Sequence, residues 1–412
     1  MQADRITAQV SGPQGAVLDI GWDERLYGET RRPLPYPGSF HYQWNQVDSW
    51  ILDGQVRSIS TIDARAGRFL LLAVWAEGPV QIQNLQVLEE SYPLVQRGDF
   101  HSSTPLLDRI WLTGVETAHL NMTDSYTDTP WRERGQWWGD AYVIDHVNRV
   151  AFGEYALLRR GLAAMANAFT PERAPGAAPN SNHTNMLDYA MLWVHSMAEY
   201  ARDTEDRSIL EETYPVLLQF MDHLKSYENP QNSLLDLPQE HWSNTAYIEI
   251  YGYHSRYGQS TAANALYYHT LQEAAWISGT MGDASHQAIW QRKAEQVKES
   301  VNRWLYLPSE GRYLTTLYQG NSIAPSPHAQ AWALAYGLAP AGETERVAAA
   351  LLGLLASDPQ IPNLDVYGMY WVLEGLGRAG KIPDAVKIIE NYYGYLLDQG
   401  AQTWWERLNA NL

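Results

Sequence analysis

Asp124-Ser-Tyr-Thr-Asp-Thr-Pro-Trp-Arg-Glu-Arg-Gly-Gln-Trp-Trp-Gly-Asp140 is the stretch around which the rest of the chain is arranged. Carboxylates, arginines and indoles are crowded into it: Asp128, Glu133 and Asp140, Arg132 and Arg134, and Trp131, Trp137 and Trp138. Pro130, Gly135 and Gly139 interrupt any regular element, so most of the stretch is predicted to be a loop.

The residue types of this loop allow two interpretations. Indole faces can hold the C–H faces of a sugar ring, carboxylates and guanidinium groups can bind its hydroxyls, and one carboxyl can supply a proton. The alternative is a solvated loop whose three tryptophans are buried in the core.

Bulk composition narrows the class of partner. At 412 residues the chain is long enough for two or three domains, and its net charge of −18 argues against nucleic acid or an anionic membrane as partner. The absence of cysteine excludes disulfides, thiolate metal sites and a cysteine nucleophile. Neither a signal-peptide core nor a membrane-spanning stretch is visible, so a cytoplasmic protein is expected. The 17 tryptophans and 26 tyrosines, against 6 phenylalanines, suit a wet sugar-binding cleft as well as an ordinary core.

Residues 1–100 are predicted to form a β-sandwich domain. Segments 56–62 and 80–87 alternate between apolar and polar residues, and 69–75 is a continuous apolar run bounded by Gly67 and Gly78. Short strands separated by glycine and proline are typical of a sandwich. The first 50 residues are rich in proline and glycine, and their pattern does not place strands.

Residues 101–412 are predicted to form an all-helical domain, so the fold class is mainly α. Apolar residues recur at spacings of three and four from Thr104 onward. Further helices are predicted near 140–151, 153–168, 184–202, 207–227, 260–279, 283–304, 326–337, 343–356, 367–379 and 383–397. Short connections without interleaved strands predict paired helices.

Two other segments carry candidate functional residues. Residues 229–258 have few periodic apolar positions but many aromatic rings, including Trp242, and so long a loop is usually functional or disordered. Near the end of the chain, Glu406 follows Trp404 and Trp405 directly after the last predicted helix. A half-exposed glutamate at a helix end is the alternative interpretation of Glu406.

These motifs resemble the bacterial α-L-rhamnosidases of glycoside hydrolase family 78. That family reads Asp-Cys-Pro-Gln-Arg-Asp-Glu-Arg-Leu-Gly-Trp-Thr-Gly-Asp where this chain has Asp128-Thr-Pro-Trp-Arg-Glu-Arg-Gly-Gln-Trp-Trp-Gly-Asp140. Its Gly-Ala-Thr-Thr-x-Trp-Glu is similar to the Gly-Ala-Gln-Thr-Trp-Trp-Glu that ends at Glu406. The resemblance covers about 85–407 and implies a β-sandwich followed by an (α/α)6 toroid.

The resemblance also implies a role for each matched residue. Glu133 matches the general acid and Glu406 the general base of an inverting hydrolysis that removes terminal α-L-rhamnose. Such a pair is expected to stand ~6.5–9.5 Å apart. The expected substrate-binding residues are Asp128, Arg132, Trp137, Asp140 and Trp242. The partner would be a rhamnose-containing glycoside or oligosaccharide, with no cofactor and no metal.

Two departures from the family pattern are visible. One residue is missing between Arg132 and Glu133, which bears on the placement of the acid. The family continues past the base into a further β-sandwich, whereas only six residues follow Glu406 here. The uncovered surface near Tyr392, Tyr393, Tyr395 and Leu396 predicts a homodimer or higher oligomer, because large apolar patches are rarely left bare.

Three other functions compete with this one. Another (α/α)6 carbohydrate-active enzyme, such as a glucosidase or an unsaturated uronyl hydrolase, would share the aromatic rings and paired carboxylates. A carbohydrate-binding pseudoenzyme would bind sugar without hydrolysing it. A metal hydrolase is disfavoured because the histidines are scattered and no His-Glu-x-x-His spacing occurs.

Overall fold

Two compact units make up the chain. The computed structural model describes residues 3–23, 47–130, 133–169, 178–179, 186–238, 257–357 and 364–406. The first unit consists of Met1–Val95 and Glu116–Gly135, and the second of Gln96–Val115 and Gln136–Leu412. The domain boundary near residue 100 stays a prediction. The return of the segment from Glu116 to Gly135 to the first unit was not anticipated from the sequence.

The strands that the structure describes in the first unit form two antiparallel sheets. These strands are β1 (Ala3–Ser11), β2 (Val17–Asp23), β3 (Val47–Ile51), β4 (Arg57–Ser60), β5 (Arg65–Ala66), β6 (Phe69–Trp75) and β7 (Gln81–Glu89). In one sheet β1 pairs with β4, β5 and β7, and in the other β2 lies between β3 and β6. The predicted strands near 56–62, 69–75 and 80–87 are therefore confirmed, and β1 to β3 are added to them.

One hydrophobic core joins the two sheets. Ile6, Ala8 and Val10 alternate along β1, so their side chains lie on the same face of the sheet. They share a buried cluster with Leu18 and Ile20 of β2. Since each sheet buries one face against the other, the predicted β-sandwich is confirmed.

The described residues form eleven helices. They are α1 (Pro105–Leu120), α2 (Trp138–Ala151), α3 (Ala156–Asn167), α4 (Leu187–Thr204), α5 (Ser208–Lys225), α6 (Thr261–Thr280), α7 (Ala284–Trp304), α8 (Pro327–Ala335), α9 (Thr344–Ser357), α10 (Val366–Arg378) and α11 (Ile382–Asp398). Each predicted helix is present, and its ends lie within a few residues of the expected positions.

The helices of the second unit pack as an inner ring with outer partners. Helices α2, α4, α6, α8 and α10 contact one another in turn, and α10 contacts α2. The outer helices α3, α5, α7, α9 and α11 pack against this ring. Burial explains the difference, since α6 is buried on almost every side, whereas α7 buries only Trp290, Ala294, Val297 and Val301. That spacing of three and four is a single apolar face, as expected of an outer helix.

The prediction that no strands interrupt the helices was wrong. In the described part of the second unit there are five short strands: β8 (Gln259–Ser260), β9 (Tyr306–Leu307), β10 (Arg312–Tyr313), β11 (Thr316–Tyr318) and β12 (Asn321–Ile323). Strands of two or three residues are too short to show a period of two. The β11–β12 hairpin turns at Gln319 and Gly320, whose φ values of 49° and 78° suit a two-residue type I′ turn.

A charged cluster ties α2 to α4 inside the ring. The Glu199 carboxylate of α4 accepts from the Tyr142 hydroxyl at 3.0 Å and lies 3.0 Å from a guanidinium nitrogen of Arg149 and 3.4 Å from Nε2 of His146. Burial opposes its ionisation, but the hydrogen bond and charge of His146 and the charge of Arg149 lower the pKa of Glu199 to about 2. The cluster thereby holds α2, whose first turn carries Asp140.

Two histidines pack against each other in the second unit, His195, which is buried, and His269, which is half-buried. His195 is fully buried, with Nε2 3.0 Å from the Thr270 hydroxyl and Nδ1 3.4 Å from the Tyr336 hydroxyl. The His269 ring centroid lies 4.6 Å from that of His195 and stacks on Tyr336. Burial lowers the pKa of both histidines, and the neighbouring His269 lowers that of His195 further.

We therefore expect the contribution of His195 to the free energy of unfolding to fall as the pH drops below 6.5, the ordinary pKa of histidine. Above that pH neither state binds the proton, whereas below it the unfolded chain protonates His195 and the folded chain does not. The cost is about 1.4 kcal/mol per pH unit for one such histidine, until the folded pKa is reached. Urea unfolding between pH 7.5 and 5 measures it. His195→Gln, which retains hydrogen-bonding capacity without a titrating proton, should flatten the profile, and an unchanged slope would contradict the assignment.

Candidate active site

The loop that carries Glu133 begins with a tight turn in the first unit. Met122 and Tyr126 form an isolated antiparallel bridge, and both side chains are buried. The Met122 carbonyl accepts from the Tyr92 amide at 3.1 Å, and Thr127 donates its amide to the Asn121 carbonyl at 2.9 Å. His119 Nε2 lies 3.1 Å from the Tyr92 carbonyl, to which it can donate. These contacts fix where the chain enters the loop.

Asp128 and Gly135 close the loop at its base. The Asp128 amide donates to the Gly135 carbonyl at 3.0 Å, and the Gly135 amide donates to Oδ1 of Asp128 at 2.8 Å. Arg134 adopts a left-handed φ of 54°, and its guanidinium donates to the carbonyl of Ala64. Glu133 lies half-buried within this closed loop. The predicted sugar-binding residue Asp128 therefore also holds the backbone of Gly135, two residues after Glu133.

The tryptophans that follow the loop have different environments. Trp138 is fully buried, and its indole N–H donates to the Ser196 hydroxyl at 3.2 Å. Trp137 immediately precedes α2 in an extended conformation and is only half-buried. The core interpretation therefore holds for Trp138, whereas Trp137 stays partly exposed, which a sugar-binding role requires.

Asp140 lies in the first turn of α2, where the helix dipole favours a negative charge. The Tyr189 hydroxyl of α4 donates to Oδ2 of Asp140 at 3.5 Å. Tyr367 of α10 is close enough that, after burial, the charges of Asp188 and Asp140 raise its pKa well above the usual value. The N-terminal ends of α2, α4 and α10 thus bring two carboxylates and two tyrosines together.

Tyr189, Asp188 and Tyr367 were not predicted as site residues. Tyr189 and Asp188 lie inside an ordinary helical pattern, and Tyr367 follows Asp140 by more than two hundred residues. No local feature of the sequence links these residues to Asp140. The only available signal was that Asp188 and Tyr189 occur at the start of a predicted helix, where inner helices of a ring converge.

Gly139 gives the sharpest test of this arrangement. A Cβ at this position would lie 2.3 Å from Cε1 of Tyr189, which is inside any real contact distance. Gly139→Ala must therefore displace Tyr189 or Asp140. Because misplacement of a site residue by about 1 Å can cost ~10²-fold, we expect kcat/KM to fall by about that factor. Steady-state kinetics on an aryl glycoside measure it.

A matched control is available in α9. A Cβ at Gly353 meets nothing within 4 Å, so Gly353→Ala should keep full activity and gain about 0.5–1 kcal/mol of stability from helix propensity. A fully active Gly139→Ala protein would contradict a role in the active site for the contact between Tyr189 and Asp140.

Glu406 follows the last helix in a short segment without regular secondary structure. Helix α11 ends at Asp398 and is followed by Gly400, which has a φ of 89°, and Ala401 donates its amide to the Leu396 carbonyl at 3.0 Å. The Trp404 ring packs 4.9 Å from that of Tyr393, which anchors the segment on α11. Glu406 itself is exposed, as both the catalytic and the surface interpretations require.

The predicted site residues fall into three groups. Asp128 and Glu133 belong to the first unit, and Trp137, Asp140 and Glu406 to the second. The pairing of Glu133 with Glu406 across the units therefore stays a prediction. Arg132 and Trp242 lie outside the described residues.

Two negative findings apply to the described part of the chain. Its histidine, aspartate and glutamate side chains form no group of three or more that could hold a metal ion. None of its helices is long and apolar enough to cross a bilayer.

A family described as the bacterial alpha-L-rhamnosidase 6 hairpin glycosidase domain matches residues 95–412. No curated protein sequence matches the chain significantly.

Several solved structures share the fold over nearly the whole chain. A rhamnosidase from Klebsiella oxytoca with rhamnose bound is 20% identical with a TM-score of 0.76, over 98% of this chain and 79% of that one. A GH78 rhamnosidase of Bacillus sp. GL1 is 21% identical with a TM-score of 0.80, and the match covers 100% of this chain and 42% of that protein. The Streptomyces avermitilis α-L-rhamnosidase complexed with L-rhamnose is 18% identical with a TM-score of 0.71, and the match covers 98% of this chain and 38% of that protein. The chain thus spans less than half the length of the last two proteins.

Proposed function

Because the chain belongs to the bacterial α-L-rhamnosidase six-hairpin glycosidase family, we propose that it hydrolyses terminal α-L-rhamnosidic bonds of glycosides or oligosaccharides. The family match confirms the family and the six-hairpin toroid that the sequence predicted. It also agrees with the inner ring and outer helices of the second unit.

The proposed function rests above all on how much of the chain the family match covers, residues 95–412. The match begins ten residues before α1 and runs beyond Glu406, so it includes both carboxylates to which the chemistry is assigned. The local geometry supports the same assignment. Glu133 is held in a loop closed by Asp128 and Gly135, and Asp140 lies at a helix N-terminus among other polar groups.

In the proposed mechanism the carboxyl group of Glu133 donates its proton to the glycosidic oxygen as the bond to the anomeric carbon breaks. The carboxylate of Glu406 takes a proton from a water molecule, whose oxygen attacks the anomeric carbon from the opposite face. The anomeric configuration is therefore inverted, and the two carboxyl groups stand ~6.5–9.5 Å apart to leave room for the water. Asp128, Arg132, Trp137, Asp140 and Trp242 are the proposed substrate-binding residues.

Incubation with 4-nitrophenyl α-L-rhamnoside tests the proposal. Released nitrophenol is expected, and proton NMR at early times should show β-L-rhamnose before mutarotation if the configuration is inverted. Early α-L-rhamnose would contradict inversion while leaving the substrate class intact. Rhamnose binding without hydrolysis would indicate a pseudoenzyme. Turnover of glucosides or unsaturated uronides alone would assign the chain to another carbohydrate-active class.

A homo-oligomer is also proposed, on the basis of exposed apolar surface. Of the four residues named on α11, Tyr392 and Leu396 are buried within the fold, whereas Tyr395 is 44% exposed. The surface that α11 itself offers is therefore smaller than the sequence suggested. Light scattering over a wide concentration range decides the point, and a constant monomeric mass would contradict the proposal.

A further inference from the structure

The loop that carries Glu133 is built into the β-rich first unit. Residues from Glu116 to Gly135 form one compact body with the two sheets. The Tyr92 amide donates to the Met122 carbonyl at 3.1 Å, just beyond the last strand of the sandwich. Tyr126 is 1% exposed, so this part of the loop contributes to the interior of the unit.

Arg134 makes a second attachment, near the C-terminal end of the loop. Its guanidinium donates to the carbonyl of Ala64, which is buried and directly precedes β5. Strand β5 pairs with β1 through Ala3↔Ala66 and Asp4↔Arg65. The side chain of Arg134 thus ties the loop to a paired strand of the sheet, and a planar guanidinium suits such a fixed contact.

The backbone of Arg134 shows that this attachment constrains the loop. Its φ of 54° is left-handed, a conformation that costs a side-chain-bearing residue about 1 kcal/mol or more. The neighbouring Gly135 is held by both hydrogen bonds to Asp128. If Arg134 returned to a right-handed conformation, the peptide between Glu133 and Arg134 would rotate and carry the Glu133 side chain with it.

We propose that Arg134 is a positioning residue for the general acid, and that the β-rich unit takes part in catalysis by anchoring the Glu133 loop at Ala64. The catalytic part of this inference rests on the proposed function. The anchoring part does not, because it concerns only the contacts that Asp128, Arg134 and Gly135 make with one another and with Ala64.

Two roles for Arg134 would produce different kinetics. A residue that orients the acid affects protonation of the leaving oxygen, so its loss should matter most for leaving groups that depart poorly. A residue that binds the sugar directly contributes to every substrate, and its loss should raise KM without dependence on the leaving group.

The experiment compares Arg134→Ala and Arg134→Lys with Arg57→Ala. Arg57 is an exposed arginine of the same unit, and its guanidinium pairs with Asp53 on the surface, so its removal should change nothing. Each protein is assayed with methyl α-L-rhamnoside and with 2,4-dinitrophenyl α-L-rhamnoside. Hydrogen exchange of the Gly135 amide is followed in parallel.

For Arg134→Ala we expect kcat on the methyl glycoside to fall by about 10–100-fold, with a clearly smaller loss on the dinitrophenyl glycoside and KM within about threefold. Protection of the Gly135 amide should fall in this variant but not in Arg57→Ala. Arg134→Lys should recover part of the lost kcat and part of the lost Gly135 protection, because an ammonium group can also donate to one carbonyl.

Equal losses on both substrates, a raised KM alone, or unchanged kcat would overturn the positioning role. If Arg134→Ala does not fold, the same leaving-group dependence is required of Arg134→Lys, and its absence would overturn the role. If the unmodified protein hydrolyses neither rhamnoside, the proposed function fails, yet the exchange measurement still decides the anchor. Unchanged protection of the Gly135 amide in Arg134→Ala would overturn the proposal that Arg134 anchors the loop at Ala64.

Discussion

Glu133→Gln is expected to lower kcat on an alkyl or sugar-linked α-L-rhamnoside by about 10²–10⁴-fold. Glutamine preserves the size and hydrogen-bonding capacity of the side chain but cannot deliver a proton, and positioned proton transfer typically contributes that much. Dinitrophenolate leaves with little protonation, so the same variant should lose far less on the dinitrophenyl glycoside. Steady-state kinetics on the two substrates provide the measurement.

Glu116→Gln is the matched control for this prediction. Glu116 is an exposed glutamate of α1 in the same unit, so its variant should have normal kinetics with both substrates. If Glu133 only forms a surface ion pair, its variant should behave like the control. Normal turnover of a sugar-linked rhamnoside by Glu133→Gln would remove the acid assignment and most of the proposed mechanism.

Glu406→Gln is expected to lower kcat by a similar factor, but equally for both leaving groups. The proposed role of Glu406 is to activate water, a step that every substrate requires and that does not involve protonation of the leaving oxygen. In Glu406→Ala, azide should restore part of the rate, because it is already a nucleophile and fits the space vacated by the carboxylate. The expected product is β-L-rhamnosyl azide, with inverted configuration.

Asp398→Asn controls for a change of charge near the end of the chain. Asp398 is an exposed residue of α11, and its variant should have normal kinetics. If Glu406→Gln lost much less kcat on the dinitrophenyl glycoside than on the alkyl glycoside, the base assignment would be contradicted, because such a dependence on the leaving group is expected of a general acid. An α-configured azide product would contradict inversion.

Local periodicity was sufficient for most of the secondary structure. Helices show a repeat of three and four over many residues, and α7 displays it as a single buried face from Trp290 to Val301. Strands β4, β6 and β7 were also recognised, since alternation or a bounded apolar run is visible in each. The strands of the first 50 residues were not placed, because proline and glycine there obscure the alternation. The hairpins near residues 306–323 are too short to carry a period.

The sequence by itself determined the family, the order of the elements and the residue types available for chemistry. Each of these depends on local patterns or on motifs that are contiguous in the chain, such as the stretch that ends at Asp140. Tertiary structure alone decided that Trp138 is buried while Trp137 is not, that Tyr189 meets Asp140, and that Arg134 reaches Ala64. The last two contacts join residues 49 and 70 positions apart. Such contacts follow from how helices and sheets pack in three dimensions, and a local pattern along the chain does not record that packing.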